Sequence, residues 1–195
     1  NSDKFNHICK EMHVRKKIMK LILKNIFISL SILMLLILTG NLAVAQQDIF
    51  AKIGAVLPKH EKPAPNFKLL TPNGKSISLS DFKGKTVLLN FWATWCTPCK
   101  KELPSMQRLY EDLKLDGFEI VAISIDRDKK EQVHRYIEEY DLTFPVLLDP
   151  NQNVRKDYFI LGLPTSYLIG KDGKLKGFIS GAREWNSVEA KQMFQ

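Results

Sequence analysis

Residues 86–104 read TVLLNFWATWCTPCKKELP, and the architecture of the chain follows from their order. The nearly continuous apolar run over residues 86–92 predicts a strand that is buried on both faces of a sheet. Residues 98–114 then place apolar side chains at helical spacing, which predicts an amphipathic helix. Two thiols, Cys96 and Cys99, therefore lie where a buried strand passes into a helix.

Strand and helix signals continue on both sides of this unit. After it we predict a strand, a helix, a short strand and a short helix, over residues 119–125, 129–140, 144–148 and 154–159. Two hairpins are expected, over residues 67–79 with an Asn73-Gly74 turn and over residues 165–179. Asn186, with Glu189 three residues later, predicts the capped start of a last helix. These elements together predict an α/β fold, a three-layer sandwich around a mixed central sheet.

The net charge of the chain is concentrated in its first part. The 195 residues carry 29 Lys and Arg against 21 Asp and Glu, a net charge of +8. Residues 1–45 hold seven of these bases and two of the acids, so the remainder is only mildly basic. This distribution argues against a surface dedicated to nucleic acid.

Residues 1–45 have the pattern of an export leader. No charged residue occurs from Asn25 to Gln47, five bases lie just before this stretch between Arg15 and Lys24, and Ala43-Val44-Ala45 has the form of a cleavage site. We expect a signal peptide that is cleaved after Ala45, or else a retained membrane anchor, since a spanning helix needs about 20 apolar residues. Met19 or Met12 is the expected start, so that Cys9 has no expected role.

The charge pattern of the leader also predicts where the rest of the chain resides. Bases before an apolar segment stay in the cytoplasm, so we expect the body in an oxidising space, in the periplasm or at the outer face of the cytoplasmic membrane. Residues 46–63 are proline-containing and polar, which predicts an unpacked linker. We expect residues 64–195 to form the folded domain.

Cys96 and Cys99 are the residues with the clearest chemistry. Unsatisfied N–H groups at the start of the predicted helix favour the thiolate of Cys96, which is the attacking species. Cys99 lies about one helical turn further on, so the pair can attack a disulfide and then resolve the mixed disulfide. The alternatives are a structural disulfide, which closes too short a loop to stabilise much, a metal site, which lacks further ligands, and an inert pair.

Residues 91–104 resemble the active-site segment of thioredoxin-like proteins, and most closely the TlpA/ResA branch of extracytoplasmic thiol–disulfide oxidoreductases. The resemblance extends over about residues 64–185 and includes Leu161-Gly162-Leu163-Pro164-Thr165. It implies a thioredoxin fold with an N-terminal β-hairpin and a strand–helix insertion at about residues 144–159.

The resemblance also implies roles for individual residues. Cys96 corresponds to the nucleophile and Cys99 to the resolving cysteine, with a redox disulfide between them. Pro164 corresponds to the cis-proline that faces the dithiol, although an ordinary loop proline is the alternative. The substrate contacts it implies are Trp95, Thr97, Pro98, Leu163 and Pro164.

Glu102 is expected either to tune the cysteines or to serve only as a solvated glutamate in the first turn. It lies three residues after Cys99 and can share its helix face. Asn90 stands where cytoplasmic thioredoxin carries a buried aspartate, and an amide is no base. If a carboxylate acts as a base for Cys99, Glu102 is therefore the leading candidate.

Four functions remain to be compared at this stage. The resemblance favours a reductase of protein disulfides, whose substrate in the family is often apocytochrome c. An oxidase or isomerase would use the same residues with the opposite electron flow. A thiol peroxidase is disfavoured, because neither cysteine has the proline and the Thr or Ser seven and three residues before it. A copper or zinc carrier would need a further ligand.

The expected partners follow from the interpretation of the protein as a disulfide reductase. They are a protein substrate that contains a disulfide and a membrane thiol that donates electrons. We expect a monomer with no cofactor, no bound metal and no nucleic-acid partner. Contact with the membrane is expected only through the leader, if that segment is retained.

Overall fold

Residues 19–20, 23–36 and 49–194 are the part of the chain that the computed structural model describes. Two units are distinguished, residues 1–47 and residues 48–195. In the first unit, residues 23–36 are helical and their side chains are exposed. None of the described helices combines the length and apolar character that crossing a membrane requires. The predicted cleavage site at Ala43–Ala45 lies outside the described residues.

The second unit is built on a sheet of seven strands. The strands are β1 (Lys68–Leu70), β2 (Ser76–Ser78), β3 (Thr86–Trp92), β4 (Phe118–Ser124), β5 (Val146–Leu148), β6 (Thr165–Ile169) and β7 (Leu175–Ser180). Their order across the sheet is β2-β1-β5-β4-β3-β6-β7. β3, β4 and β5 run parallel, and the other pairings are antiparallel. The mixed central sheet and both hairpins are confirmed.

The helices of this unit connect and cover the strands. They are α1 (49–53), α2 (Thr97–Leu113), α3 (Lys130–Glu139), α4 (Asn153–Asp157) and α5 (Val188–Phe194), with a 3-10 turn at Leu79–Phe82. β5 and α4 form the strand–helix insertion that the resemblance implied. The element types agree with the prediction, and most ends lie within two residues of it.

Side chains of β3 show how the layers are arranged. Trp92 packs edge-on against Tyr136 of α3, with ring centroids 6.3 Å apart. The neighbouring Phe91 points to the other face, where its ring lies 5.4 Å from that of Tyr158, at the end of α4. Alternate residues of a strand face opposite sides, so the sheet is covered on both faces. The three-layer sandwich is confirmed.

The segment that was expected to be an unpacked linker is packed. Phe50 and Ile53 of α1 are buried in the core of the domain. Farther along, Val56 bridges to Phe178 of β7 and Pro63 bridges to Lys174. The prediction that residues 46–63 form an unpacked connection is therefore wrong for the described residues of that range. Two apolar side chains anchor a stretch whose composition is otherwise polar.

The start of α5 also differs from the prediction. Ser187 Oγ accepts a hydrogen bond of 3.1 Å from the backbone N–H of Ala190. This is the contact of an N-cap residue with the third residue of its helix. The cap is therefore Ser187, one residue after the predicted Asn186.

Candidate active site

The cysteine pair lies at the junction of β3 and α2. Cys96 is the N-cap of α2, and its sulfur accepts a hydrogen bond of 3.3 Å from the backbone N–H of Cys99. Pro98 falls within the first turn of the helix, where no intrahelical N–H donor is needed. The two sulfurs are joined in a disulfide, with an S–S distance of 2.00 Å.

Burial distinguishes the two cysteines. Cys96 keeps 5% of its surface exposed, whereas Cys99 keeps none. A sulfur that exchanges with a partner's disulfide must be accessible, and of the two only Cys96 meets this condition. The N-terminus of α2 favours negative charge at the same sulfur.

The turn before Cys96 is held by a buried carboxylate. Asp126, two residues after the end of β4, accepts hydrogen bonds of 2.8 Å from the backbone N–H and from the hydroxyl of Thr94. Ser124 Oγ donates a third bond of 2.8 Å to the same carboxylate. Asp126 and Thr94 are both buried. This network fixes the backbone two residues before the nucleophile candidate.

The sequence prediction missed Asp126 and Thr94, although one signal was available. β3 and β4 are parallel neighbours, and residues just beyond the carboxyl ends of such strands meet at one edge of a sheet. Asp126 lies two residues after β4, at the same end of the sheet where Cys96 lies four residues after β3.

Pro164 is at the same end of the sheet as the cysteines. The Leu163–Pro164 peptide bond is cis. The next residue, Thr165, pairs with Phe91 near the end of β3. The carbonyl of Pro164 accepts a hydrogen bond of 2.8 Å from Gly181 N–H, which fixes the loop to the end of β7. Leu163 is partly buried beside it.

The remaining predicted contact residues surround Cys96. Trp95 is 62% exposed, and Thr97 and Pro98 are exposed as well. No group of three or more His, Cys, Asp or Glu side chains that can hold a metal ion occurs among the described residues.

Glu102 is buried rather than solvated, and donors surround it. Asn90 Nδ2 donates to Oε1 at 2.9 Å, and Oε2 accepts from Trp185 Nε1 at 3.1 Å and from the backbone N–H of Arg183 at 3.2 Å. The expectation of a first-turn glutamate in solvent is thus wrong, because Glu102 is only 2% exposed. The side chain lies inside the domain, one turn after Cys99.

The surroundings of Glu102 change its acidity. Burial raises the pKa of Glu102 from its ordinary 4.5 to about 7. The hydrogen bonds from Asn90, Trp185 and Arg183 stabilise the ionised form and oppose this increase. A carboxyl group with such a pKa exchanges its proton near neutral pH, which is what a general acid or base requires.

None of the three hydrogen bonds to Glu102 was predicted, although Asn90 itself was singled out as an amide in place of an aspartate. Trp185 and Arg183 are more than 80 positions away in the sequence, and no spacing rule connects them to α2. Arg183 also donates from Nε to the carbonyl of Ile53 at 2.8 Å. The loop that holds the carboxylate is therefore held in turn by α1.

Comparisons with known proteins identify relatives of this chain. The sequence model of the AhpC/TSA family matches residues 61–178. A thiol-disulfide oxidoreductase ResA from Bacillus cereus is 42% identical over 159 residues, which make up 81% of this chain and 90% of the relative. Another ResA, from Bacillus thuringiensis, is 46% identical over 128 residues, or 66% of this chain and 73% of the relative.

A solved structure shows the same fold. A Chlorobium tepidum protein assigned as the thiol:disulfide interchange protein DsbE aligns with a TM-score of 0.64 and 33% identity. The alignment covers 71% of this chain and 96% of that structure.

Proposed function

The chain belongs to the AhpC/TSA family and to the ResA-type thiol–disulfide oxidoreductases, and from this premise we propose that it reduces disulfide bonds of proteins outside the cytoplasm. The observation that carries the direction of electron flow is the buried Glu102 carboxyl, one turn after Cys99. A strong oxidant of this chemistry has its reduced form stabilised. A buried carboxylate beside the pair does the opposite, because its negative charge raises the pKa of neighbouring thiols.

The reaction transfers two electrons to the substrate. The Cys96 thiolate attacks one sulfur of the substrate disulfide, which forms a mixed disulfide and releases the first substrate thiolate. The Cys99 thiolate then attacks Cys96 Sγ, which closes the Cys96–Cys99 disulfide and releases the second substrate thiolate. The substrate disulfide is reduced, and the enzyme dithiol is oxidised.

Glu102 is suited to move the proton that this sequence requires. Cys99 is fully buried, so its thiol needs a nearby base before it can attack. At neutral pH the ionised fraction of Glu102 accepts that proton, and its protonated fraction returns one when the dithiol is regenerated. The Asn90 amide cannot take this role, since it does not titrate; it holds the carboxyl group in place.

The substrate and the setting are parts of the same proposal. The substrate we propose is apocytochrome c, whose haem-binding cysteines must be reduced before haem attachment. It would contact Trp95, Thr97, Pro98, Leu163 and Pro164 around the exchanged sulfur. A membrane thiol carrier would regenerate the dithiol of a monomer exported by residues 1–45, whether that leader is cleaved or retained.

A redox equilibrium tests the direction of electron flow. Residues 46–195 are equilibrated in graded dithiothreitol or glutathione buffers, and free thiols are trapped by alkylation. We expect a midpoint near that of thioredoxin, about −270 mV. A midpoint near that of a strong oxidant, about −120 mV, would show that the protein forms disulfides instead.

Single cysteine variants test the order of attack. Cys99→Ser, in its reduced form, is expected to accumulate the mixed disulfide with oxidised, disulfide-bonded apocytochrome c, because the resolving thiol is missing. Cys96→Ser serves as the matched control and should trap nothing. Trapping by Cys96→Ser alone would reverse the assigned roles.

A further inference from the structure

A residue just after α4 adopts a backbone conformation that is unfavourable for its residue type. Ile160 N–H donates to the carbonyl of Arg155, and Phe159 N–H donates to that of Lys156, both at 3.0 Å. This pair of bonds is the Schellman arrangement at a helix C-terminus, which requires a left-handed residue just after the helix. That residue is Phe159, with φ of 53°.

Glycine, and after it asparagine, normally occupies such a position. A side chain at left-handed φ crowds its own backbone, and a bulky aromatic one is a true outlier there. The strain brings no gain from packing, because Phe159 is 83% exposed. The neighbouring Tyr158 is buried and donates from its hydroxyl to the carbonyl of Pro65 at 2.7 Å, so the backbone is held in place.

A second exposed apolar side chain follows in the same loop. Tyr158 and Ile160 point into the core, whereas Phe159 and Leu161 point outward, and Leu161 is 95% exposed. Isolated exposed apolar residues are ordinary. Two of them in one short loop, one at a conformation that disfavours it, indicate that something other than folding stability accounts for them.

The loop that carries these two side chains lies at the same end of the sheet as the cysteine pair. Leu161 is three residues before the cis Pro164, so its Cα lies within about 11 Å of that of Pro164. Thr165 pairs with Phe91 of β3, whose end leads to Cys96. The loop 159–163 therefore leads into the end of the sheet that carries Cys96, which is where a substrate disulfide approaches.

We infer that Phe159 and Leu161 form a docking surface for an apolar side chain that flanks the disulfide of an extended polypeptide substrate. This inference rests on the proposed function and adds a substrate preference to it. An unfolded polypeptide fits the surface because it exposes apolar side chains beside its cysteines, whereas a folded protein buries them. Next to Cys96 in the chain, the 62% exposed ring of Trp95 offers further apolar surface.

The test compares substrates on the reduced full domain, residues 46–195. Two short cystine peptides are used, one with leucines flanking each cysteine and one with serines, together with oxidised glutathione. In Phe159→Gly and Leu161→Ser we expect kcat/KM for the leucine peptide to fall about tenfold, from lost apolar burial. Values for the serine peptide and for glutathione should stay within about twofold of the unmodified protein.

A stability measurement distinguishes docking from damage. Because glycine relieves the left-handed strain, Phe159→Gly should increase the ratio of folded to unfolded protein roughly fivefold or more. The same variant should lower kcat/KM for the leucine peptide. Leu115→Ser is the matched control, since Leu115 is 91% exposed at the opposite end of the sheet, just before β4. It should change none of the three rates.

Several outcomes would overturn the inference. Equal losses on all three substrates would mean that the loop acts on the dithiol itself. Unchanged rates for the leucine peptide, with a fully active unmodified protein, would refute docking but leave the proposed function intact. A dimer of the unmodified protein that Phe159→Gly converts to monomers would assign the surface to a second copy instead. Failure of the unmodified protein to reduce any peptide would refute the proposed function.

Discussion

The side-chain amide of Asn90, on β3, donates a hydrogen bond of 2.9 Å to Oε1 of Glu102, on α2. Asn90 Nδ2 makes a second bond of 2.9 Å to Ser166 Oγ on β6. The carboxyl group beside the cysteine pair is thereby connected to the two strands that place Cys96 and Pro164. Its position is therefore fixed by the sheet, and its charge is determined by pH.

The first prediction concerns the stability of the disulfide form as a function of pH. The pKa of Glu102 is about 7 when folded and near 4.5 when unfolded. Between these values the folded chain binds more protons, so the free energy of unfolding falls as pH rises. We expect Glu102 to account for a loss of about 3 kcal/mol across this window, measured by urea unfolding at several pH values.

The variant Glu102→Gln isolates this contribution. It should remove the fall between about pH 4.5 and pH 7, whereas Glu138→Gln, on the exposed side of α3, should retain it. Parallel profiles for the unmodified protein and Glu102→Gln would contradict the raised pKa.

The second prediction concerns Trp185, whose indole N–H donates to Glu102 at 3.1 Å. This hydrogen bond lowers the pKa of the carboxyl group. Trp185→Phe removes the donor but keeps an aromatic side chain, so we expect the pKa of Glu102 to rise further above about 7. Carboxyl NMR titration measures it directly, and an unchanged or lower pKa would show that the bond does not stabilise the ionised form.

The third prediction concerns the contact between Thr94 and Asp126. A hydrogen bond to a charged group contributes about 1.5–3 kcal/mol. Thr94→Val removes the hydroxyl donor, and Asp126→Asn removes the negative charge and one of the two oxygen acceptors, both without a large change of shape. In a double-mutant cycle we expect a coupling of at least about 1 kcal/mol in the free energy of unfolding. Strictly additive effects would mean that the 2.8 Å contact contributes nothing to stability.

The fourth prediction concerns the start of α5. Ser187→Ala removes the side chain that caps Ala190 N–H and should cost about 1 kcal/mol of unfolding free energy. Asn186→Ala is the matched change one residue earlier. Because Asn186 Oδ1 is buried without a hydrogen-bond partner, its removal should be neutral or slightly stabilising. The reverse result would restore Asn186 as the cap.

Some features of the domain could be predicted because local patterns specify them. The run of apolar residues predicted both ends of β3, and the amphipathic stripe predicted α2 with an offset of one residue at each end. The disulfide partners lie within one helical turn, so their proximity required no knowledge of the tertiary structure. Turn residues such as Asn73-Gly74 likewise predicted the first hairpin.

Other features depend on contacts that no local pattern encodes. The burial of Glu102 results from Trp185 and Arg183, whose position next to α2 is set by the whole fold. Phe50 and Ile53 are too few to produce a periodic signal, yet both reach the core. At Phe159 the residue type even argues against the observed turn, since a left-handed position is expected to be glycine.

The segment that covers β7 has a consequence for the behaviour of the protein in a crowded solution. β7 is an edge of the sheet, and the free backbone groups of an edge strand are a template for pairing with another chain. Here Val56 exchanges two hydrogen bonds with Phe178, at 2.8 and 3.0 Å, and Lys62 accepts one from Leu175. These residues occupy the β7 edge from within the chain, so they protect that edge from pairing strand to strand with other copies of the protein.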